Sequence, residues 1–147
     1  MKDSCVGPVG AVGLLLALLL KYQALLNIDQ KLKLPALLLF PAVARFGQVL
    51  MAVGAKSARD SGLGSSFISG TGSSQLLFSL ATILAASYLC LEWKGIVVVA
   101  FISTVTFFVR LYFQRRLGGI TGDIIGFSNE LNEIVCLLLI LACCCRI

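Results

Sequence analysis

Long apolar runs separated by short polar breaks dominate the chain. They extend over residues 9–28, 34–53, 76–91, 96–113 and 124–142. A transmembrane helix needs about 20 mostly apolar residues, and each run approaches that length, the third if it reaches back toward Ser69. The pattern predicts an all-α, polytopic integral membrane protein with five transmembrane helices in one membrane domain covering residues 1–147. No internal repeat is evident.

The polar residues inside these runs refine the picture. Lys21 interrupts the first run and is expected to snorkel to an interface. Pro35 suits the first turn of the second helix, and Pro41 is expected to kink it. Arg45 lies inside that span, where a charge needs a partner or a wet cavity. It is either a functional residue or half of a structural ion pair. Glu92 and Gly95 mark a tight turn, with Trp93 as an interface anchor. The longest polar stretch, Ala55 to Gln75, is rich in glycine and serine and carries Lys56, Arg59 and Asp60. Its composition predicts a flexible loop. A phosphate-binding loop is the sharper alternative, with Gly62 and Gly64 beside cations. The Gly-Lys-Ser/Thr ending of a nucleotide-binding P-loop is absent.

Composition narrows the function classes. The 147 residues are 59% hydrophobic and 13% charged, against about 25% charged in soluble domains. A net charge of +5 in so apolar a chain reads as topology-setting loop charge. Nothing interleaves basic and aromatic residues as nucleic-acid contact requires, so no nucleic-acid partner is expected. The sequence has no histidine, which removes the commonest general base; catalysis would rest on carboxylates, a metal and arginines. Cys5, Cys90 and Cys136 are scattered, and Cys143, Cys144 and Cys145 are adjacent, so neither set has metal-ligand spacing. The C-terminal CCRI is not a prenylation signal, because Arg146 is not aliphatic. No small-residue cleavage site follows the first run, which argues against a signal peptide.

The stretch from Arg115 to Glu133, RRLGGITGDIIGFSNELNE, departs from the apolar background. Gly118, Gly119 and Gly122 permit crowded or left-handed turns, and Thr121 or Asp123 suits a helix N-cap. Asp123 and Glu130 then fall two turns apart almost in line, with Glu133 roughly 60° further round. Gly126 shares that face and would allow close approach. Two readings stand: the carboxylates hold a hard cation such as Mg²⁺ with the phosphates it bridges, or Asp123 caps a helix and the glutamates meet headgroup water. Asp3, just ahead of the first span, is likewise a cap or a ligand. Loop parity places the N-terminus, the Ala55–Gln75 stretch and the Gln114–Gly122 loop on one side. The basic residues there, Lys2, Lys56, Arg59, Arg115 and Arg116, orient that side to the cytoplasm. Asp3, Arg59, Asp60 and Asp123 would gather at the same face.

These residues carry a family resemblance. RLGGITGDIIG followed by ELNE resembles the C-terminal signature of cobalamin synthase, the adenosylcobinamide-GDP ribazoletransferase family. ARDSGLGSSF, MKDSCVGPVG and PAVARFGQVLM resemble further elements in family order, so the likeness covers nearly the whole chain. Cys5 stands where the family usually has arginine. The family also carries an additional N-terminal region with spans and an acidic motif, so the chain reads as the family's C-terminal portion.

The resemblance implies a Mg²⁺-dependent enzyme of the bacterial inner membrane, facing the cytoplasm and compatible with a homo-oligomer. It would join adenosylcobinamide-GDP to α-ribazole or its 5′-phosphate and release GMP. Asp123 with Glu130 or Asp3, and less so Asp60 and Glu133, would ligate the metal. Arg59 and Arg45 would neutralise phosphate, and Gly118, Gly119, Thr121 and Gly122 would bring backbone N–H groups to its oxygens. A CDP-alcohol phosphotransferase matches poorly, because Ala58-Arg59 lacks the preceding aspartates of that motif. A small transporter or scaffold would explain Arg45 and Pro41 but not the clustering of acidic and glycine-rich motifs on one side.

Overall fold

The computed structural model describes residues 7–58 and 63–144. Among these the chain forms six helices: α1 (Pro8–Asn27), α2 (Gln30–Ala52), α3 (Leu63–Gly70), α4 (Ser73–Leu91), α5 (Trp93–Leu117) and α6 (Gly122–Cys144). Five of them, all but α3, are long and apolar enough to cross a membrane. Helices suit that solvent because they satisfy their backbone hydrogen bonds internally.

The apolar runs locate the spans, and their ends are set by packing and caps. α2 begins at Gln30, so Pro35 lies inside the helix and not in its first turn; α2 continues through both Pro35 and Pro41. α5 is longer at both ends than its apolar run. It starts straight after Glu92, which takes φ 54° and alone separates it from α4. The hairpin is tight enough that a Cβ at Gly95 would collide with the Ser87 carbonyl of α4. The Ala55–Gln75 stretch is not a loop throughout. It contains α3 and the start of α4, and Ile68 of α3 is buried.

α2 and α6 form the central pair. α5 packs on both, α4 on α2 and α5, and α1 on α6. Two apolar clusters result. The larger joins Leu39 and Val43 of α2, Ile83 of α4, Ile102 of α5 and Leu137 and Ile140 of α6. The smaller lies at the end where α2 and α5 finish and α6 begins, and joins Met51, Ala52, Ile68, Ile120, Ile124 and Ile125. Between them runs a polar layer: Gly47 on α2, Thr106 on α5, and Ser128, Asn129 and Asn132 on α6, the four polar side chains all buried.

Asn132 Nδ2 donates to Thr106 Oγ1 at 2.9 Å, and Gly47 makes the room, since a Cβ there would run into Asn132 Nδ2. Interhelical hydrogen bonds and small residues are common cement between membrane helices. Gly47→Ala is therefore expected to push Asn132 off Thr106 and lower stability by about 1–3 kcal/mol, read as a fall in the thermal midpoint of the detergent-solubilised protein. An unchanged midpoint would mean that the layer yields freely.

Candidate functional site

The glycine-rich segments meet at the end of the bundle where α6 starts. After α2, Gly54 takes φ +63° and turns the chain into residues 55–58. After α5, Gly118 takes φ +71° and closes the helix in the left-handed conformation, which glycine adopts without a Cβ penalty. The two segments then pair through their backbones. Ile120 N donates to the Lys56 carbonyl at 2.8 Å, and Ala58 N donates to the Ile120 carbonyl at 3.0 Å. Gly119 is obligatory in this pairing: a Cβ would stand 2.7 Å from Ala58 N and 2.8 Å from the Lys56 carbonyl oxygen.

A second glycine contact brings two helix starts together. A Cβ on Gly64, at the beginning of α3, would lie 2.5 Å from Gly122 N at the beginning of α6. Each helix start exposes N–H groups without intrahelical partners and carries the positive end of a helix dipole. Thr121 caps α6, its Oγ1 accepting from Ile124 N at 3.4 Å. Asp123 sits exposed in the first turn of α6, where a carboxylate is favoured. Lys56, Arg115 and Arg116 are exposed at the same end. Arg116 is drawn back onto Tyr112, whose hydroxyl accepts from Nη1 at 2.8 Å.

Arg110 closes the junction from behind. Its Nη1 donates to the Leu50 carbonyl at 3.0 Å, one of the last carbonyls of α2 that lack a helical partner. An arginine in the last two turns of an apolar helix was the signal for this role, but its distant partner is invisible in sequence.

The glutamates occupy a different place. Lys21 of α1 reaches into the bundle, and its Nζ lies 2.6 Å from Glu130 Oε2 and 2.6 Å from Glu133 Oε2. It does not snorkel to an interface: its side chain is 13% exposed. Asn129 Nδ2 donates to Glu133 Oε1 at 2.8 Å, so the ion pairs continue into the polar layer. Desolvation explains the arrangement, because charges within a membrane are tolerated when paired. Glu130 and Glu133 do share a helix face, as their spacing predicts. Lys21, some 109 residues away in sequence, is the partner that spacing could not supply. Gly126, expected to admit a close neighbour, has nothing within 4 Å of its Cβ position.

Of the predicted site residues, the structure brings Gly118, Gly119, Thr121, Gly122 and Asp123 together at the junction. Glu130 and Glu133 are bound to Lys21. Arg45 lies exposed in a groove between α2 and α4, its Nη1 donating to Gln48 Oε1 at 3.2 Å. Asp3, Arg59 and Asp60 fall outside the described residues. Among the described residues no group of three or more acidic or cysteine side chains could hold a metal ion. Among the described residues, Asp123 is the carboxylate at the junction.

Fold and site together define a polytopic helical membrane protein with a glycine-built backbone cradle at one end. The family model for cobalamin-5-phosphate synthase matches residues 1–141, and the chain belongs to that family. It is 51% identical over 97% of its length to the adenosylcobinamide-GDP ribazoletransferase of Geotalea daltonii, of which it covers 57%. It is 35% identical to the protein of that name from a Thermoanaerobacter species over 94% of the chain and 56% of the relative. With that from Clostridium botulinum strain Okra it shares 33% over 96% of the chain and 57% of the relative. The chain thus spans little more than half the length of these curated relatives. No solved structure matches.

Proposed function

We propose that this chain forms the phosphate-handling part of an adenosylcobinamide-GDP ribazoletransferase. The reaction would join adenosylcobinamide-GDP to α-ribazole, or its 5′-phosphate, and release GMP. The observation that carries the reading is the junction itself. Two glycine-rich segments are zipped by backbone bonds so that the starts of α3 and α6 adjoin, in a chain whose relatives bear that enzyme name. Backbone N–H groups at helix starts suit phosphate oxygens. Lys56, Arg115 and Arg116 would add positive charge around a diphosphate substrate, and the sequence order leads us to expect Arg59 at the same face.

In this reading a ribazole oxygen attacks the cobinamide-linked phosphorus and the bond to GMP breaks. Such a transfer draws mainly on positioning and charge neutralisation. The junction would hold the diphosphate in place while Thr121 keeps the start of α6 fixed. Mg²⁺, which the family resemblance implies, would supply further neutralisation of the phosphate charge. Asp123 is its proposed ligand, with Asp3 and Asp60 as the other acidic residues expected at that face. The excess of basic residues around the junction supports a cytoplasmic orientation in a bacterial inner membrane.

The test follows GMP release from adenosylcobinamide-GDP and α-ribazole phosphate, with the protein in liposomes and Mg²⁺ present. Asp123→Asn is expected to reduce turnover by about 100-fold or more while leaving membrane insertion and thermal midpoint near those of the parent. Near-normal turnover in that variant would remove Asp123 from the proposed site.

A further inference from the structure

Arg45, expected to neutralise phosphate, lies in a groove between α2 and α4 and not in the glycine-built junction. It lines a groove of about 340 Å³ between α2 and α4 whose walls include Ala42, Phe46, Phe78, Ile83 and Ala86. Ser79 and Thr82 also line it, but their hydroxyls are spent on their own helix, donating to the Leu76 and Phe78 carbonyls. The groove is therefore apolar apart from one guanidinium. Among the described residues the ion pairs are those of Lys21, and Arg45's hydrogen bond goes to the neutral Gln48. A guanidinium has five N–H donors in a fork suited to phosphate. An exposed arginine within an apolar span and without a carboxylate calls for an anion or water.

Depth decides what that anion is. Arg45 lies seven residues before the end of α2, roughly 10 Å from the junction end of the bundle. Its side chain bonds Gln48, one turn nearer that end, so the guanidinium is held toward the membrane surface. Ala42 on α2 and Ile83 and Ala86 on α4 lie deeper. The groove thus has a cation near the headgroup level and apolar walls running inward from it. That is the polarity of a phospholipid: phosphate outside, acyl chain within.

We propose that the α2–α4 groove binds an anionic phospholipid of the adjacent leaflet, with its phosphate on Arg45 and one acyl chain along Ala42, Ile83 and Ala86. The occupant is a lipid and not a free phosphate, because the walls that adjoin Arg45 are apolar. The inference stands independently of the transferase reading.

The experiment is thermal unfolding of the detergent-purified protein with added dioleoyl-phosphatidylglycerol, dioleoyl-phosphatidylcholine, or glycerophosphoglycerol, which carries the anionic headgroup without chains. Phosphatidylglycerol is expected to raise the midpoint by about 5 °C at saturation, with little effect from the other two. Arg45→Gln should bring the phosphatidylglycerol shift down to the phosphatidylcholine level. Ala42→Phe, which fills the groove and keeps the arginine, should shrink it as well. Equal shifts with both lipids, a full shift with the headgroup alone, or a full phosphatidylglycerol shift in either variant would overturn the proposal. The first would mean general solvation by lipid, the second a free-phosphate site, and the last a lipid bound elsewhere.

Discussion

Replacing Lys21 by methionine is expected to destabilise the bundle by about 3 kcal/mol or more. The substitution keeps an unbranched apolar stem of nearly the same length and removes the ammonium group with its donors. Glu130 and Glu133 then face each other across the space left by Nζ, both within the membrane-spanning part of α6. Removing one partner of a buried ion pair typically costs about 3–5 kcal/mol, because the remaining charge has lost both water and counter-ion. The lower end applies here: Glu130 is 46% exposed toward the groove between α1 and α6, whereas Glu133 is 13% exposed.

The same reasoning gives a rescue. The triple variant K21M/E130Q/E133Q removes all the charges together and is expected to regain most of the lost stability. Neutral isosteres of a complete buried ion set are often close to neutral in energy. Thermal midpoints of the single and triple variants in one detergent decide the matter. A single variant as stable as the parent would mean that both carboxylates are neutral or hydrated. A triple variant no better than the single would mean that the charges act by more than mutual compensation. The Lys21 contact ties α1 to α6, and α1 is otherwise the least buried span. Loss of Lys21 should therefore also free α1, read as faster proteolysis or hydrogen exchange there than in the rest of the bundle.

Gly119→Ala should strike function harder than stability. Its Cβ would sit 2.7 to 2.9 Å from three backbone atoms of residues 56 and 58, and backbone cannot swing aside as a side-chain tip can. The segments must part, which strains or breaks the two hydrogen bonds between them. Overpacking of this kind costs about 1–3 kcal/mol. A shift of about 1 Å in a positioning element can lower turnover about 100-fold, and that loss is expected in GMP release. Gly126→Ala, within the α6 helix that follows, is the control: it has open space around its Cβ position, and alanine favours a helix over glycine by roughly 1 kcal/mol. It should retain activity and gain a little stability. Equal activity in the two variants would separate the junction from the chemistry.

Much of this architecture is legible in the residues. Five apolar runs locate five spans, because length and hydropathy are local properties set by the bilayer. Gly118, Gly119 and Thr121 announce a turn followed by a capped helix, because backbone freedom and capping are also local. The stretch after Ala55 was harder: glycine and serine predict a loop, yet α3 forms there with Ile68 buried in the cluster that holds Ile124 and Ile125 of α6. Lys21 shows the limit most clearly. Alone in an apolar run, it has snorkelling as its cheapest expectation, and only a partner helix carrying two carboxylates at the same depth changes that.

By itself, then, the sequence determined the all-α membrane class, the placing of the spans, the glycine-rich turn with its capped helix, and the family likeness, since each depends on neighbours within a turn or two or on motif order. Tertiary structure alone decided that residues 56–58 pair with Ile120, that α3 and α6 start against each other, that Lys21 holds Glu130 and Glu133, and that Arg45 lines a groove between α2 and α4. Those contacts join segments far apart in the chain. Their partners are chosen by helix packing, and by the need to pair every charge that packing removes from water.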